Sequence, residues 1–323
     1  MSGEVLIRQL EYLAALAREH HFGRAASKCF VSQPALSAGI RKLERELDVT
    51  IVQRGRQFRG FTPEGQLVVG WAHRILAERD GLRADLDQMR NGLSTTLRIG
   101  TIPTAVPITT FVSERFTLRH PRARVQVEEL SSREISLRLK EFRLDVGISY
   151  LDDGTSSSTD SLVLYRERYF IVLPSQSPLA EHRVVSWPDA ASLPLCLLTP
   201  AMRNRRIIDA IFAASGKVVM PVVETDNMGS LYAHVASRRL ATIASQAWLY
   251  AFGAPTGMCI RPLIDSCPPV PIGLVRMAAE PISIAADAAW NAVEGLDIEA
   301  ELDRVVVPLL PHGGSGQPPN DER

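Results

Sequence analysis

Gln33, Ser37, Arg41 and Arg45 recur four residues apart, which places an amide, a hydroxyl and two guanidinium groups on one side of a helix. Amide and guanidinium groups presented together can read base edges in a major groove, while hydroxyls and cations hold phosphates. Downstream, Arg54, Arg56 and Arg59 fall in the stretch TIVQRGRQFRGF, where they would lie near phosphates or a minor groove. A second set of polar groups suits a different task. Thr101, Pro103 and Thr104 follow the short run Leu97-Arg98-Ile99-Gly100 and precede a helical segment. Hydroxyls, free N–H groups and a positive helix end would there meet a small anion, or the threonines would simply cap the helix. Thr199, Met202, Arg203 and Arg205 open a later helix, where a guanidinium can clamp a carboxylate or stay solvated. Ser132, Ser149, Thr225 and Asp226 are expected at strand ends around the same cleft.

Other chemistry is missing from the sequence. No GxSxG, HExxH, Walker loop or strand-borne GxGxxG occurs, so no catalytic centre and no cofactor are expected. Cys29, Cys196, Cys259 and Cys267 form no CxxC pair, which argues against a disulfide framework or a zinc site. Thirty-six basic residues balance 36 acidic ones across 323 positions, which excludes a polycationic coat for DNA. Residues 1–62 nevertheless carry ten Lys/Arg against six Asp/Glu, and a basic segment at one end of a neutral chain is the footprint of a nucleic-acid-binding module. The opening MSGEVLIRQLEYL has no signal-peptide pattern, and no window of eighteen apolar residues exists, so a cytoplasmic, nucleoid-associated protein without a membrane span is expected.

The elements that must position the first set are local and well marked. Leu6, Leu10, Leu13 and their neighbours predict an amphipathic helix over 5–20. Arg24 to Phe30 reads as a second short helix, with His20-His21 as surface packing before it. Ser32 is an N-cap, Pro34 sits in the first turn, and Leu36, Ile40, Leu43 and Leu47 form the buried stripe of a third helix. Thr50 to Phe61 fits a β-wing. Thr62-Pro63-Glu64 then starts a long helix whose Val68, Ile75, Leu82 and Met89, joined by Ala72, Leu86 and Leu93, make a heptad seam interrupted at Arg79. Such a seam wants a partner helix.

These residues carry a resemblance. Ala25-Ala26, Ser32-Gln33-Pro34-Ala35-Leu36-Ser37, Ile40, Leu43-Glu44, Leu47, Arg54 and Thr62-Pro63-Glu64-Gly65 look like the winged helix-turn-helix of LysR-type transcriptional regulators. The sequence departs from the pattern at Ala38-Gly39, at Asp48 where Gly is common, and at Ile51-Val52. The resemblance implies that Gln33, Pro34, Ser37 and Arg41 face the major groove and that Ser32 and Arg54 lie near the backbone or wing. It also implies double-stranded promoter DNA and RNA polymerase as partners, and a homodimer or homotetramer.

Beyond residue 96, short apolar strands alternate with helices, the signature of parallel sheets. The expected fold class is α/β with an all-α winged helix-turn-helix N-terminal domain. A long linker helix would join that domain to a two-lobed effector domain like the periplasmic binding proteins. The expected divisions are 1–62 for DNA binding, 63–93 for the linker, and 97–305 for the effector domain. Within the latter, 97–162 and 270–305 make lobe 1, 163–269 make lobe 2, and 306–323 form a disordered tail. The functional expectation is a regulator sensing a small, anionic metabolite. The rivals are a redox sensor of the same family using Cys259 and Cys267, and a stand-alone solute-binding protein, which the basic N-terminal module opposes.

Overall fold

The computed structural model describes residues 7–310 except 54–57, 92–94, 152–157, 265–268 and 279–281. In the N-terminal domain, α1 (Ile7–Glu19) buries Leu10, Leu13 and Leu16. The next helix, α2 (Phe22–Lys28), starts earlier than its sequence pattern suggests, because the His21 ring accepts from the Gly23 and Arg24 N–H groups at 3.1 and 3.3 Å. Phe30 then leaves the helix in the left-handed region. Ser32 caps α3 (Gln33–Leu47) by accepting from Ala35 N–H at 3.3 Å. Leu36, Ile40 and Leu43 are buried, whereas Leu47 at the last turn is exposed, so the stripe ends one residue short of expectation.

Two departures from the family pattern have a structural cause. Asp48 closes α3 with φ +52, a left-handed conformation that Gly adopts freely and Asp tolerates better than most residues. Gly39 lies under the Tyr12 ring, which an added Cβ would approach to 2.6 Å. The wing is one antiparallel bridge, Val52 to Phe61. Glu44 anchors it to α3 by accepting from the Ile51 and Val52 N–H groups at 2.9 and 3.1 Å. Phe58 packs on His20, Phe22 and Phe61, so His20 is a wing support as well as a helix end.

Thr62 starts α4 (Pro63–Asn91) by accepting from Gly65 N–H at 2.9 Å. Gly65 admits no side chain, since a Cβ there would sit 2.1 Å from the Ile51 carbonyl. The heptad seam divides in two. Val68 and Ala72 pack on the helix-turn-helix core, while Ile75, Leu82 and Leu86 are exposed together with Leu67 and Trp71. Arg79, the interruption, pairs with Glu11 of α1. Nothing is described of the Met89 side chain, and Leu93 lies outside the described residues.

The first lobe is a sheet in the order β2-β1-β3-β11-β4. Strands β1 (Thr96–Thr101), β2 (Arg124–Glu129) and β3 (Val146–Tyr150) run parallel; β4 (Thr159–Glu167) and β11 (Val270–Met277) are antiparallel to each other, and β11 is antiparallel to β3. Around them lie α5 (Thr109–Arg119), α6 (Ser132–Lys140) and α11 (Ile284–Val293). The second lobe holds β5 (Tyr169–Pro174), β6 (Val185–Ser186), β9 (Thr242–Ser245) and β10 (Met258–Ile264), in the order β6-β10-β5-β9. The pair β7 (Cys196–Leu198) and β8 (Val223–Thr225) joins β9's side through the Cys196 N–H to Ala241 O bond. Alternate residues of β5 feed two cores, Ile171 and Leu173 beside Trp187 of α7 (Trp187–Ala190) and Phe212 of α8 (Arg203–Ala214), Phe170 and Val172 beside Trp248 of α10 (Gln246–Phe252). Helix α9 (Met228–Ala236) covers the second of these.

Two expected boundaries shift. Strand β4 stays in the first sheet through Glu167, so the chain crosses at Arg168 rather than after 162. Helix α12 (Ile298–Val306) and a 3-10 turn at Val307–Leu309 continue order past 305 because Val306 is buried in a second-lobe core. Residues 306–310 of the expected tail are therefore ordered, and residues 311–323 lie outside the described residues.

Candidate DNA-binding surface and interlobe cleft

The apolar face of α3 is sealed against α1 and α2, so its opposite face must point outward. Ser32, Gln33, Pro34 and Arg41 are exposed there and Ser37 is half-buried. Arg41 donates to the Ser37 hydroxyl at 2.9 Å, which holds the guanidinium along the face. Lys42 pairs with Glu46. Arg59 is exposed on the wing side of the domain; Arg54 and Arg56 lie outside the described residues. Glu44 was noted in the sequence only as part of the family resemblance, not as an anchor of the wing, and the Phe58 cluster was not singled out at all. An acid on the buried side of an otherwise apolar stripe was the available signal.

In the effector domain the expected polar residues separate. Thr101 is fully buried and donates to its neighbour's carbonyl, Ile102 O, at 3.2 Å. The segment Pro103–Ile108 is a 3-10 turn without a side-chain cap, and α5 starts only at Thr109. The expected helix end beside Thr101 and Thr104 is thus short and weakly aligned. Pro103 is buried, and the Thr104 hydroxyl is 3.5 Å from Tyr150 Oη. Tyr150 donates to Glu167 Oε2 at 2.8 Å, Tyr169 donates to the same oxygen at 2.6 Å, and Asn204 Nδ2 donates to Tyr169 Oη at 3.5 Å. The Arg203 guanidinium lies 5.1 Å from the centre of the Tyr150 ring. One connected chain therefore runs from Thr104 and Tyr150 in the first lobe, through Glu167 at the crossing, to Tyr169 and Asn204 in the second.

Burial pushes the Glu167 carboxyl above its ordinary value, against the lowering effect of its hydroxyl partners. Burial first, then the Glu167 charge, pushes the Tyr150 and Tyr169 phenols well up. All three groups are held toward their protonated forms. Tyr150, Glu167, Tyr169 and Asn204 were not anticipated; the acid set among tyrosines in YRERY was the signal for them.

Arg203 and Thr104 are brought to the same tyrosine, but Arg205 is not available. Its guanidinium is buried and bonded to Asp209 at 2.8 Å, Glu224 at 2.6 Å and Leu198 O at 2.9 Å. The expected Arg205 clamp gives way to an internal ion cluster. Thr199 and Thr225 join by a backbone bond of 2.9 Å, Thr225 is buried, and Met202 is half-buried at the start of α8. Asp226 is exposed and raises the Glu129 carboxyl at the end of β2, second to the loss of hydration there. Ser149 is buried on β3, and Ser132 Oγ is buried with no partner among the described residues. Burial raises the thiol of Cys259, with Arg261 opposing; Cys267 lies outside the described residues. Among the described residues no cluster of three or more His, Cys, Asp or Glu could hold a metal, and no helix is long and apolar enough to cross a membrane.

Comparison with known proteins adds to this geometry. Residues 7–66 match the model "Bacterial regulatory helix-turn-helix protein, lysR family", and residues 90–296 match "LysR substrate binding domain". The chain is 33% identical over 193 residues to the DNA-binding transcriptional dual regulator OxyR of Escherichia coli K12, covering 59% of this chain and 63% of that relative. It thus spans a little under two thirds of that protein. It is 27% identical over 303 residues to a hydrogen peroxide-inducible genes activator of Haemophilus influenzae, covering 92% and 98%. A full-length OxyR variant from Pseudomonas aeruginosa aligns with TM-score 0.72 at 24% identity, over 92% of this chain and 97% of the other. CbnR complexed with its target DNA aligns with TM-score 0.62 at 18% identity, over 89% and 98%. At these identities the structural likeness establishes the fold.

Proposed function

The chain belongs to the LysR family of helix-turn-helix transcriptional regulators, and from that premise we propose that it couples a small molecule in its interlobe cleft to its grip on promoter DNA. The observation that carries this reading is the polar chain Thr104–Tyr150–Glu167–Tyr169–Asn204, because one ligand touching it would touch both lobes. Thr104 at the Tyr150 hydroxyl and Arg203 over the Tyr150 ring favour a small organic anion. A carboxylate there gains charge-assisted bonds, each about 1.5–3 kcal/mol net. Gln33, Pro34, Ser37 and Arg41 face the operator's major groove, with Ser32, Arg54, Arg56 and Arg59 near the backbone or wing. The exposed stripe Leu67, Trp71, Ile75, Leu82 and Leu86 of α4 pairs with a second copy. Exposed Leu118, Val127 and Leu137 on the first lobe, and Val218, Met220 and Val222 on the second, supply further contacts for a tetramer. RNA polymerase at the promoter and a cytoplasmic, nucleoid location complete the proposal. The test is a thermal-shift screen of small organic acids against wild type and Thr104→Val. Acids are expected to stabilise wild type and not the variant; stabilisation by amines alone, or equal response of both proteins, overturns the site.

A redox reading draws support from the relatives, which include OxyR and a hydrogen peroxide-inducible genes activator. Against it, burial raises the Cys259 thiol, and a raised thiol reacts slowly with oxidants. Hydrogen peroxide is expected to leave operator binding of wild type and Cys259→Ser equal; a peroxide response lost in Cys259→Ser would establish the redox reading instead.

A further inference from the structure

Helix α6 runs from the interlobe cleft toward the DNA-binding arm. At its start, Leu130 N–H donates to Thr101 O at 2.9 Å at the carboxyl end of the sheet, and Ser131 caps the helix in a capping box with Glu134. Along its length it cannot slide. Ile135 packs on Gly100 and Gly147, where an added Cβ would stand 3.3 and 2.4 Å from that side chain. Its end is equally fixed. Glu141 and Arg143 pair at 3.4 Å, Phe142 between them has φ +53, and Arg143 N–H returns to Arg138 O at 2.8 Å. This turn stands beside His73 of α4, close enough for both of its charges to act on the ring, and α11 of the same lobe also touches α4.

His73 is half-buried, and its Nδ1 is buried with no hydrogen-bond partner among the described residues. A neutral imidazole can leave a ring nitrogen so placed as a bare acceptor. A second proton would put a donor and a charge there with no acceptor to receive them. Three charged groups from other elements act on the ring. Glu141 favours the cation, whereas Arg143 beside it and Arg18 of α1 oppose it. On α4 itself the neighbouring Arg74 lies over the Trp71 ring and pairs with Glu78 at 3.1 Å. Loss of hydration is the largest influence, and the ring is held below its ordinary value of 6.5.

We infer that His73 and the turn Glu141–Arg143 form a latch, which holds the first lobe on the DNA-binding arm while the ring is neutral and releases it when the ring takes a second proton. Undocking returns Nδ1 to water, where the added proton finds an acceptor. The docked ring therefore binds fewer protons than the free one. The latch is at full strength above the free value, near 6.5, and weakens as pH falls from there through the lower docked value. Because α6 and its sheet move as one body, a shift of the first lobe at its cleft end reaches the arm through this same turn. Acidity is thus a second input to the regulator, separate from the cleft.

The experiment is an acid titration of the full-length protein from about pH 8 to about pH 5, followed by ring-carbon NMR and by the radius of gyration in solution scattering. The His73 signal is the one missing from His73→Gln, which stays neutral throughout. In wild type the ring is expected to titrate below 6.5, and the radius to grow over the same interval as the arm leaves the lobe. In His73→Gln the radius should keep its compact value through that interval. That variant also separates the latch from the raised carboxyls Glu129, Asp145 and Glu167, which titrate whether or not His73 is present. Glu141→Gln should move both midpoints down and Arg143→Gln should move them up, opposite shifts that mere loosening of the turn does not produce. A ring that titrates at 6.5 or above, a radius that ignores the ring's titration, a transition retained in His73→Gln, or shifts of one sign in the two turn variants would each overturn the latch. Should His73→Gln fail to fold, the two turn variants decide. None of these outcomes bears on the Thr104 screen, so the cleft reading stands or falls separately.

Discussion

In the N-terminal domain the functional groups stand outside a closed core. Leu36, Ile40 and Leu43 are buried beneath Gln33, Ser37 and Arg41, and the wing is pinned by Glu44 from the buried side. In the effector domain the arrangement is inverted: Thr104, Tyr150, Glu167, Tyr169 and Asn204 are all buried and bonded to one another. The difference teaches where chemistry and stability are separable. An outward face can change its side chains at a cost within about 0.5 kcal/mol of stability. A buried polar chain cannot, since removing one member strands its partners at about 1–3 kcal/mol each. The first region turns its polar groups outward, and the second turns them on one another.

The contrast breaks most severely at α4, which joins the regions. Leu82→Asp with Leu86→Asp places two charges in the exposed stripe proposed to pair copies. Loss of the dimer and of operator binding is expected, read by light scattering and DNA titration, with the helix-turn-helix core intact because neither residue packs on it. A native oligomer still bound to DNA would place the interface elsewhere.

The next effect belongs to the outward face. Arg41→Ala should cost about 1–3 kcal/mol of specific binding, the worth of a bidentate base contact. Its melting temperature should stay near wild type, since its side chain hydrogen-bonds Ser37 on its own helix and is otherwise exposed. Wild-type affinity on every promoter sequence would remove Arg41 from the reading face.

Glu167→Gln sharpens the inverted region. The Glu167 carboxyl is raised in the folded protein, chiefly by burial, so folding takes up a proton between the unfolded value, near 4.5, and the raised one. Its contribution to stability is therefore present at low pH and lost as pH rises through that window. Asp145 and Glu129 are also raised and slope the same way, so the amide variant should flatten the profile without abolishing it. Denaturant melts at several pH values between 4.5 and 7.5 give the measurement. Parallel profiles for both proteins would mean that the carboxylate is ionised where it sits.

The two regions were also unequally legible. Helix α3 announced itself because its signals are local: a serine cap, a proline in the first turn, an apolar stripe. Strands β3 and β5 were legible as apolar runs buried on both faces. Strand β10 was not, because Pro262 within it argues against a strand, yet it pairs with Phe170 of β5. Strand β4 is an edge whose Asp160 and Arg166 mask its period. The cleft was half-read for a related reason. Arg203 and Arg205 are two positions apart, hence on different faces of α8, and it takes Asp209 one turn on together with the distant Glu224 to decide which one turns inward. Glu167 depends on Thr104, Tyr150, Tyr169 and Asn204 from four other elements, and no one window of sequence contains them all.

The smallest effect tests the edge of the outward face. Arg59 is exposed at the returning arm of the wing, next to the Gly60 carbonyl that accepts from Gln53 N–H at 3.0 Å. On the proposed reading a cation there meets phosphates and not bases, contributing by counterion release without sequence preference. Arg59→Ala should therefore weaken operator and random DNA by the same factor. The slope of log affinity against log salt should become shallower by about 0.9, the share of one phosphate contact. Titrations at several salt concentrations on both DNAs give the two slopes. A loss confined to the operator would move Arg59 into the base-reading set, and the line between reading face and positioning wing would have to be redrawn through it.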